Sequence, residues 1–315
     1  MNERIQDRWP DIPYGPWRST CSALHLYIQI IGKYRLARSP WVNHSWHATL
    51  YTDARGFTTG LVPDGPGGIE LSLDLINHEV VGRATDGRIA RFSLEPMSVA
   101  FFHGRALDLI RTLGGTPEFH GRPNEIPEAI PFAEDRMERP YDANAVTRFF
   151  RACVAVTNVL QIFRTAYLGK VSPVHLFWGS FDIAVTRFSG RHAPSHPGGI
   201  PALPDEITRE AYSHEVSSAG FWPGGGAIDF PAFYSYAYPM PTGLAAARIS
   251  PEAAYYDENL GEFLLPYDAV RLANNPEDML MTFLESTYRA AAELGDWDRA
   301  ALECKVGKPR QPRPM

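Results

Sequence analysis

The sequence predicts an α+β protein built from two diverged copies of one unit, each a mostly antiparallel sheet flanked by helices, packed about a pseudo-twofold axis. Three observations predict it. Short alternating or aromatic-rich segments, typical of strands, are separated by Gly, Pro and Asp turn signals. Amphipathic helical patterns flank each group of strands. The same turn signals recur in the same order in both halves of the 315-residue chain. Each copy is therefore expected to be an α-β(4-5)-α unit.

The first copy, residues 9–114, is predicted to begin with a helix, continue as antiparallel strands and close with an amphipathic helix. The closing helix is followed by Gly114, a residue that favours the end of a helix. A hairpin is expected at Thr85-Asp86-Gly87, because Asp-Gly suits a tight turn. The expected elements are a helix over 19–31, strands over 44–52, 69–75 and 89–94, and a helix over 97–113.

The second copy, residues 142–302, shows the same order of signals. The glycine-rich segment 60–65 is echoed by the segment 220–225, so we predict that these two segments superpose. The closing helices of the two copies are expected to coincide as well. The alternative is that any α+β protein alternates strands and turns in this way. The expected elements are a helix over 144–168, strands over 175–186, 232–238 and 262–265, and a helix over 276–294.

Three segments lie outside this repeat. Residues 115–141 are rich in proline and acidic side chains, which favours a linker that wraps the surface. The loop 189–211 is an insertion, because the first copy has only a tight turn at the matching place. Loops added to a scaffold often carry function. The basic tail 303–315 has nothing to bury and is expected to be disordered.

Composition limits the class of protein. The formal net charge of −6 argues against a nucleic-acid partner, since phosphate binding needs a basic surface. The N-terminus lacks the apolar stretch of a signal peptide, and no window approaches the ~18 apolar residues that span a bilayer. The cysteines Cys21, Cys153 and Cys304 are too far apart for a disulfide framework or a Cys-x-x-Cys metal site. We therefore expect a cytoplasmic protein without a membrane partner; its oligomeric state stays open.

Several long motifs occur along the chain from Trp9-Pro10 to about Leu302. They are Trp9-Pro10-Asp11-Ile12-Pro13-Tyr14, Val42-Asn43-His44-Ser45-Trp46-His47, Ser172-Pro173-Val174-His175, Phe177-Trp178-Gly179-Ser180-Phe181-Asp182, Arg209-Glu210-Ala211-Tyr212-Ser213-His214-Glu215 and Ala219-Gly220-Phe221-Trp222-Pro223-Gly224. With these motifs the sequence resembles an uncharacterised bacterial family catalogued as domain of unknown function 5996. The resemblance implies bacterial origin and no established activity, so it supplies no catalytic residues.

Familiar catalytic motifs are missing from the sequence. There is no G-x-S-x-G elbow, no phosphate-binding P-loop and no G-x-G-x-x-G after a strand, so no nucleotide or dinucleotide cofactor is indicated. The segment His214-Glu215-Val216-Ser217-Ser218 lacks the second histidine of H-E-x-x-H. The function must therefore be inferred from the chemistry of individual residues.

The histidines of the first predicted strand are three residues apart. Side chains alternate along a strand, so His44 is expected on the apolar, buried face and His47 on the polar face, towards a cavity or the junction of the copies. Asp182 of the second copy falls close to the pseudo-equivalent position of His47. The two side chains would approach each other across a twofold axis, to hold a divalent metal, to orient the imidazole, or as a structural ion pair.

The inserted loop returns to the scaffold through Tyr212 and His214. On a strand these residues share a face, where a phenol and an imidazole could act as an acid–base pair. The candidate catalytic residues are Tyr212, His214, Asp182 and His47, and the candidate metal ligands are His47, Asp182 and His214.

Aromatic residues crowd the second copy, where Tyr234, Tyr236 and Tyr238 share a strand face that is semi-exposed or lines a pocket. Trp178, Trp222 and Arg187 are the candidates for holding a ligand or cofactor. The sequence leaves two functions open. The first is a small-molecule-binding protein or enzyme with a pocket at the seam of the copies. The second is a non-catalytic structural or interaction protein whose histidines and tyrosines complete buried hydrogen-bond networks.

Overall fold

The computed structural model describes residues 8–313 of the chain. Within this range the fold is α+β with antiparallel sheets, which confirms the predicted class. The helices are α1 (Tyr14–Arg38), α2 (Val99–Thr112), α3 (Ala143–Thr165), α4 (Asp205–Ala211), α5 (Tyr267–Arg271), α6 (Pro276–Leu294) and α7 (Arg299–Leu302), with 3-10 turns at Asn43–Ser45 and Leu244–Ala246.

Two large sheets organise these helices. The first sheet has the order β1-β2-β3-β4-β5 and consists of β1 (Tyr51–Thr52), β2 (Gly56–Asp64), β3 (Gly67–Asp74), β4 (Glu79–Ala84) and β5 (Ile89–Ser93). A small ribbon pairs β6 (Met97–Ser98) with β7 (Glu138–Arg139). The second sheet has the order β12-β13-β11-β10-β9-β8 and consists of β8 (His175–Phe177), β9 (Asp182–His192), β10 (His214–Trp222), β11 (Ala232–Tyr238), β12 (Tyr255–Asp257) and β13 (Glu262–Pro266).

A narrow bridge joins the sheets at their first strands. The backbone amide of Leu50 donates to the carbonyl of Leu176 at 3.0 Å, and the amide of Leu176 donates back to Leu50 at 2.8 Å. From this bridge the first sheet runs outward as a meander, and the second does so as far as β11; β13 then pairs with β11, and β12 forms the edge beyond β13. Each sheet is preceded by a long helix, α1 or α3, and followed by a closing amphipathic helix, α2 or α6.

The core lies between the sheets and these helices. Helix α1 is buried over most of its circumference, as expected for a helix enclosed on several sides. Helix α3 is long and apolar enough to cross a membrane by length and composition alone, but 56% of its most apolar window is buried inside the protein. A core helix shows the same composition, and Val146, Phe149 and Val156 of α3 are buried in the common core.

The described residues differ from the sequence prediction in two places. Residues 44–52 do not form one strand, because His44 and Ser45 adopt positive φ angles of 60° and 59° and only Tyr51–Thr52 is extended into β1. The tail, predicted to be disordered, is hydrogen-bonded to the end of α3 where the structure describes it. The amide of Gly307 donates to Thr165 Oγ1 at 2.9 Å, and the amide of Cys304 donates to the carbonyl of Ala166 at 3.2 Å.

Each glycine segment lies at the end of a strand, but the two strands do not have the same position in the order of their sheets. Residues 60–65 lead from the second strand of the first sheet into the third, whereas residues 220–225 lead from the third strand of the second sheet into the fourth. The closing helices follow the last strand in both halves. The internal duplication therefore stays a prediction, and the residue pairing proposed for its glycine segments is offset by one strand.

Candidate functional site

A cavity of about 320 Å³ lies on the face of the second sheet that points away from α3 and α6. Strand alternation puts every second residue of β9 into it, from Asp182 through Ala184 and Thr186 to Phe188. Three covering segments close the cavity: the 41–49 turn of the first half, residues 124–125 of the linker, and residues 200–212 of the insertion with α4. The remaining sheet residues that line it are Val216, Ser218, Trp222, Tyr234, Tyr236 and Glu262.

Asp182 forms the floor of the cavity and is 4% exposed. Its carboxylate accepts hydrogen bonds from Ser180 Oγ and from the hydroxyl of Tyr234. The Tyr234 ring reaches it across Gly220, where a Cβ atom would lie 2.5 Å from the Tyr234 hydroxyl. Burial raises the pKa of Asp182, although the hydrogen bonds from Ser180 and Tyr234 oppose the shift.

Glu262 is the first residue of β13, and the β11–β13 register places it opposite Tyr236. Its Oε2 atom is buried and has no hydrogen-bond partner among residues 8–313. Burial, followed by the nearby charges of Asp182 and Asp257, raises the pKa of Glu262 to about 8. An unpaired buried carboxyl costs stability, so a structural role does not explain its position.

Glu125 reaches the same cavity from the linker. Its backbone has a positive φ of 60°, and its amide donates to the carbonyl of Pro201 in the insertion at 2.9 Å. Its carboxylate lies over Gly179, where a Cβ atom would be 1.9 Å from Glu125 Oε1. Burial, followed by the charge of Asp182, raises the pKa of Glu125 to about 7. No hydrogen bond to this carboxylate exists within the described part of the chain.

A buried polar stripe on α1 fixes these cavity walls. His25, Gln29 and Lys33 are spaced by four residues and therefore share one face of the helix. Gln29 Oε1 accepts from the amide of Asn124 at 2.8 Å, and its Nε2 donates to the Asn124 carbonyl at 3.0 Å. His25 Nε2 lies 2.8 Å from the carbonyl oxygen of Gly179. The helix thus positions both Glu125 and the loop beneath it.

Aromatic rings form the side of the cavity next to the carboxyls. Tyr234 stacks on Trp222 with centroids 4.3 Å apart, and the Tyr212 and Tyr236 hydroxyls are hydrogen-bonded at 2.7 Å. Burial raises the pKa of Tyr212 to about 12, which keeps it neutral at physiological pH. Trp178 closes the opposite side and donates from Nε1 to the Ala48 carbonyl at 2.7 Å.

The far end of the cavity carries His44. Its Nδ1 lies 2.8 Å from the Ala211 carbonyl, which can only accept, so Nδ1 carries the proton. Nε2 then accepts from Lys170 Nζ at 2.5 Å, while the Lys170 ammonium lies 4.9 Å from the centroid of Phe188. Burial lowers the pKa of His44, and so does the charge of Lys170. Glu210 of α4 accepts from the His44 amide, so this network attaches the insertion to the first half.

The structure brings four of the sequence candidates together and leaves three outside. Tyr212, Asp182, Trp178 and Trp222 all line the cavity. His47 does not line it; its Nδ1 lies 3.2 Å from Val42 O and its ring packs 4.5 Å from Trp41. His44 is buried, as expected, but the expected placement relative to the cavity is wrong: His44 faces the cavity, and His47 is buried outside its lining.

The predicted pairing of Tyr212 with His214 is also wrong. Tyr212 ends helix α4 rather than lying on a strand, so alternation does not apply to it. His214 begins β10 and is not among the described residues that line the cavity; its ring lies 4.4 Å from that of His192.

Arg187 points to the other face of β9, so its predicted role in ligand binding is wrong. Its guanidinium lies 3.5 Å from the centroid of Phe163 and 4.3 Å from that of Tyr288. It also donates to the carbonyl of Phe163. Arg187 therefore stabilises the packing of the sheet on α3 and α6.

The metal hypothesis gains no geometric support. Within residues 8–313 no group of three or more His, Cys, Asp or Glu side chains is placed to hold an ion, and His47, Asp182 and His214 make no contact with one another. The carboxyls that sequence reasoning missed are Glu125 and Glu262. Glu262 could have been found from the turn signal before β13 and the alternation after it, whereas Glu125 has no local signal.

A family model described as "Family of unknown function (DUF5996)" matches residues 9–304, so the chain belongs to this family. This confirms the resemblance seen in the sequence motifs. No curated protein matches the chain, and neither does any solved structure. The functional argument therefore rests on the geometry of the cavity.

Proposed function

We propose that this protein binds a small molecule in the carboxyl-lined cavity of the second sheet. The observation that carries the proposal is a pair of carboxyls at the cavity wall, Glu125 and Glu262. Burial raises the pKa of both, and the buried Oε2 atom of Glu262 has no hydrogen-bond partner among residues 8–313. Burial without a partner costs free energy, and a ligand that supplies the partner recovers it. A concave site with apolar walls and a few convergent polar groups is the usual form of a ligand site.

The covering segments support the same proposal. The amide of Glu125 donates to the insertion at Pro201, and His44 Nδ1 donates to the insertion at Ala211. Three segments distant in sequence are thus held over one patch of sheet, where they shield part of the cavity lining from solvent. Exclusion of water strengthens every electrostatic interaction inside.

A second candidate function is an acid–base enzyme acting on the same ligand. The raised pKa values of Glu125 and Glu262, about 7 and about 8, let each carboxyl hold a proton near neutrality and donate it. A purely structural role, the remaining alternative, is supported by the Tyr212–Tyr236 and Tyr234–Asp182 hydrogen bonds. It leaves the two unpartnered carboxyls unexplained.

A ligand-observed NMR screen of chemically diverse fragments tests the proposal. We expect hits with the wild type and their loss in Ala184→Phe, which fills the cavity from β9, or in Ser218→Leu from the neighbouring strand. Ala253→Phe, an exposed position before β12 and outside the cavity lining, adds the same volume as Ala184→Phe and is the matched control. Folding is checked by circular dichroism, and the two cavity variants guard against one of them failing to fold. An absence of hits, or hits that persist in a folded, cavity-filled variant, would contradict the proposal.

The cellular setting belongs to the same proposal. The net charge of −6 supports a protein without a nucleic-acid partner, and the buried position of α3 supports one without a membrane partner. We propose a cytoplasmic bacterial protein that arose by internal duplication. Its oligomeric state is left open.

A further inference from the structure

We infer that the ligand of this cavity is an organic cation, a protonated amine on a compact apolar body; this inference rests on the proposed function and adds the ligand class. Two features of the cavity indicate this ligand class: its acidic side chains and the aromatic rings beside them. Asp182, Glu125 and Glu262 all face one space of about 320 Å³. Among the residues the structure describes, no lysine or arginine side chain lines that space.

The nearest cationic side chains are engaged elsewhere. Lys33 lies behind the wall, where its ammonium donates to Asn124 Oδ1 and lies 5.3 Å from the Trp178 ring. Lys170 donates to His44 at the opposite end of the cavity. Neither charge contributes to the pKa shift of Glu262, which is set by burial and then by Asp182 and Asp257. Among residues 8–313, no lysine or arginine side chain therefore neutralises these carboxyls, and the charge of Asp182 disfavours the ionised forms of Glu125 and Glu262.

The hydroxyls of the tyrosines beside the carboxyls are already hydrogen-bonded within the protein. The Tyr234 hydroxyl donates to Asp182, and the Tyr212 and Tyr236 hydroxyls are bonded to each other. Trp222, Tyr234 and Tyr236 form a stacked series, with centroid separations of 4.3 and 6.1 Å. Aromatic faces attract ammonium groups, and the attraction grows when water is excluded. Carboxyls beside aromatic faces are complementary to an ammonium group.

A neutral or anionic ligand fits this wall poorly. A neutral hydroxyl could accept the proton of one carboxylic acid but would leave the repulsion among the three groups in place. A carboxylate ligand would add a further negative charge beside these carboxyls. An ammonium group supplies three donors and one positive charge, and so satisfies the unpartnered oxygens and offsets the repulsion together.

The cavity volume limits the ligand body. About 320 Å³ is at the small end of known ligand pockets. Apolar side chains such as Leu36, Ile207 and Phe188 line the part away from the carboxyls. The body is therefore a short alkyl or single-ring group rather than a polyol or a nucleotide.

Isothermal titration with three matched probes tests the inference: 2-phenylethylamine, 2-phenylethanol and 3-phenylpropionate. The three molecules share a phenyl body and differ in the charge of the end group. We expect the amine to bind at least about tenfold more tightly than the alcohol, since a charge-assisted hydrogen bond contributes about 1.5–3 kcal/mol. Glu262→Gln should weaken amine binding by about tenfold or more and change alcohol binding by less than about threefold. Glu258→Gln, an exposed change in the same hairpin, should change neither.

The failures of the two proposals are distinguishable. Equal affinity for the three probes, tighter binding of the alcohol or the carboxylate, or an amine affinity unaffected by Glu262→Gln overturns the ligand class while the cavity proposal stands. If none of the three probes binds at millimolar concentration, the ligand class is wrong. The fragment screen then decides whether the cavity binds another class or none. Glu125→Gln serves as the second variant should Glu262→Gln fail to fold.

Discussion

The two sheets carry carboxyl groups on their outward faces, but only the first sheet pairs them with cations. On the first sheet Glu70 lies 3.2 Å from Arg83, Glu79 lies 3.1 Å from Arg91, and Arg55 contacts Asp74. The Glu70–Arg83 pair is open to solvent, whereas the Asp74 carboxyl is buried against Arg55. On the second sheet the insertion and the linker cover the equivalent area, and Glu262 has no partner in the described chain.

The two faces differ in how their carboxyl groups affect stability. An exposed ion pair costs little to form and contributes little, so the first sheet tolerates its charges without a specific purpose. A covered, unpaired carboxyl lowers stability and persists only where another requirement maintains it. Pairing, rather than the number of acidic residues, therefore distinguishes the face proposed to bind a ligand from the face of the first sheet.

The largest effect is expected from Asp74→Asn in the first sheet. Burial alone would raise the pKa of Asp74, but hydrogen bonds from Arg55 and from the amides of Ile76 and Asn77 lower it overall. Its ionised form therefore stabilises the fold above the unfolded pKa, and this stabilisation is lost as pH falls. We expect Asp74→Asn to lower the free energy of unfolding at pH 7 by about 2–4 kcal/mol, measured by urea denaturation. A decrease in the free energy of unfolding of less than about 0.5 kcal/mol would contradict the structural role given to the charged groups of the first sheet.

Glu262→Gln in the second sheet should raise the free energy of unfolding, whereas Asp74→Asn lowers it. The folded pKa of about 8 lies above the ordinary 4.5, so the unfolded chain releases this proton first as pH rises. The wild type therefore loses stability between pH 4.5 and about 8 through this residue, and glutamine does not titrate. We expect the variant to be more stable by about 1–3 kcal/mol at pH 8, with the advantage shrinking towards pH 4.5. A destabilised variant at pH 8 would mean that Glu262 is structurally paired.

Gly179→Ala tests how Glu125 is placed. The methyl group would occupy the position of the Glu125 carboxylate, whose side chain can turn aside. We expect amine affinity to fall by about threefold to tenfold, roughly 1 kcal/mol, with little change in stability. Gly190→Ala probes a glycine of the same sheet whose Cβ position is open. Since Gly190 has a positive φ, that variant should cost stability without changing affinity. Equal affinity in wild type and Gly179→Ala would remove Glu125 from the site.

The smallest effect is expected for Glu70→Gln. Its ion pair with Arg83 is solvent-exposed, so the free energy of unfolding should change by less than about 0.5 kcal/mol. Glu70→Gln is the matched control for Glu262→Gln, because both variants remove a carboxyl from a sheet face. Both are measured by chemical denaturation. A change as large as that of Glu262→Gln would show that pairing does not separate the two faces.

Sequence patterns were sufficient for the fold class and for part of the site. Alternation along β11 placed Tyr234 and Tyr236 on one face, and both line the cavity, because regular strands obey a two-residue period. The pattern failed where the backbone leaves that regularity. His44 adopts a left-handed conformation, and Tyr212 follows a helix that begins after Pro204.

Glu125 could not be predicted by any local rule. Its position depends on Gln29, 95 residues before Asn124 in the chain, and on Pro201 in the insertion. Such contacts are properties of the folded chain rather than of a sequence window. The same holds for the desolvation of Glu262, which requires the cover over the second sheet.

The most direct test of the ligand site is the number of protons released when the amine binds. Glu262 is faced by acidic or phenolic groups from every adjoining segment, and His44 is the only cationic or titratable basic side chain that lines the cavity in the part of the chain the structure describes. The facing groups are Asp182 on β9, Tyr212 after α4, Tyr234 and Tyr236 on β11, Asp257 on β12 and Glu125 in the linker.

With pKa values of about 7 and about 8, Glu125 and Glu262 hold roughly one proton between them at pH 7.5, and an ammonium group displaces it. Titration of 2-phenylethylamine in two buffers of different ionisation enthalpy measures that release. We predict release of close to one proton by the wild type and clearly less by Glu262→Gln. Identical binding heats in the two buffers would contradict the account.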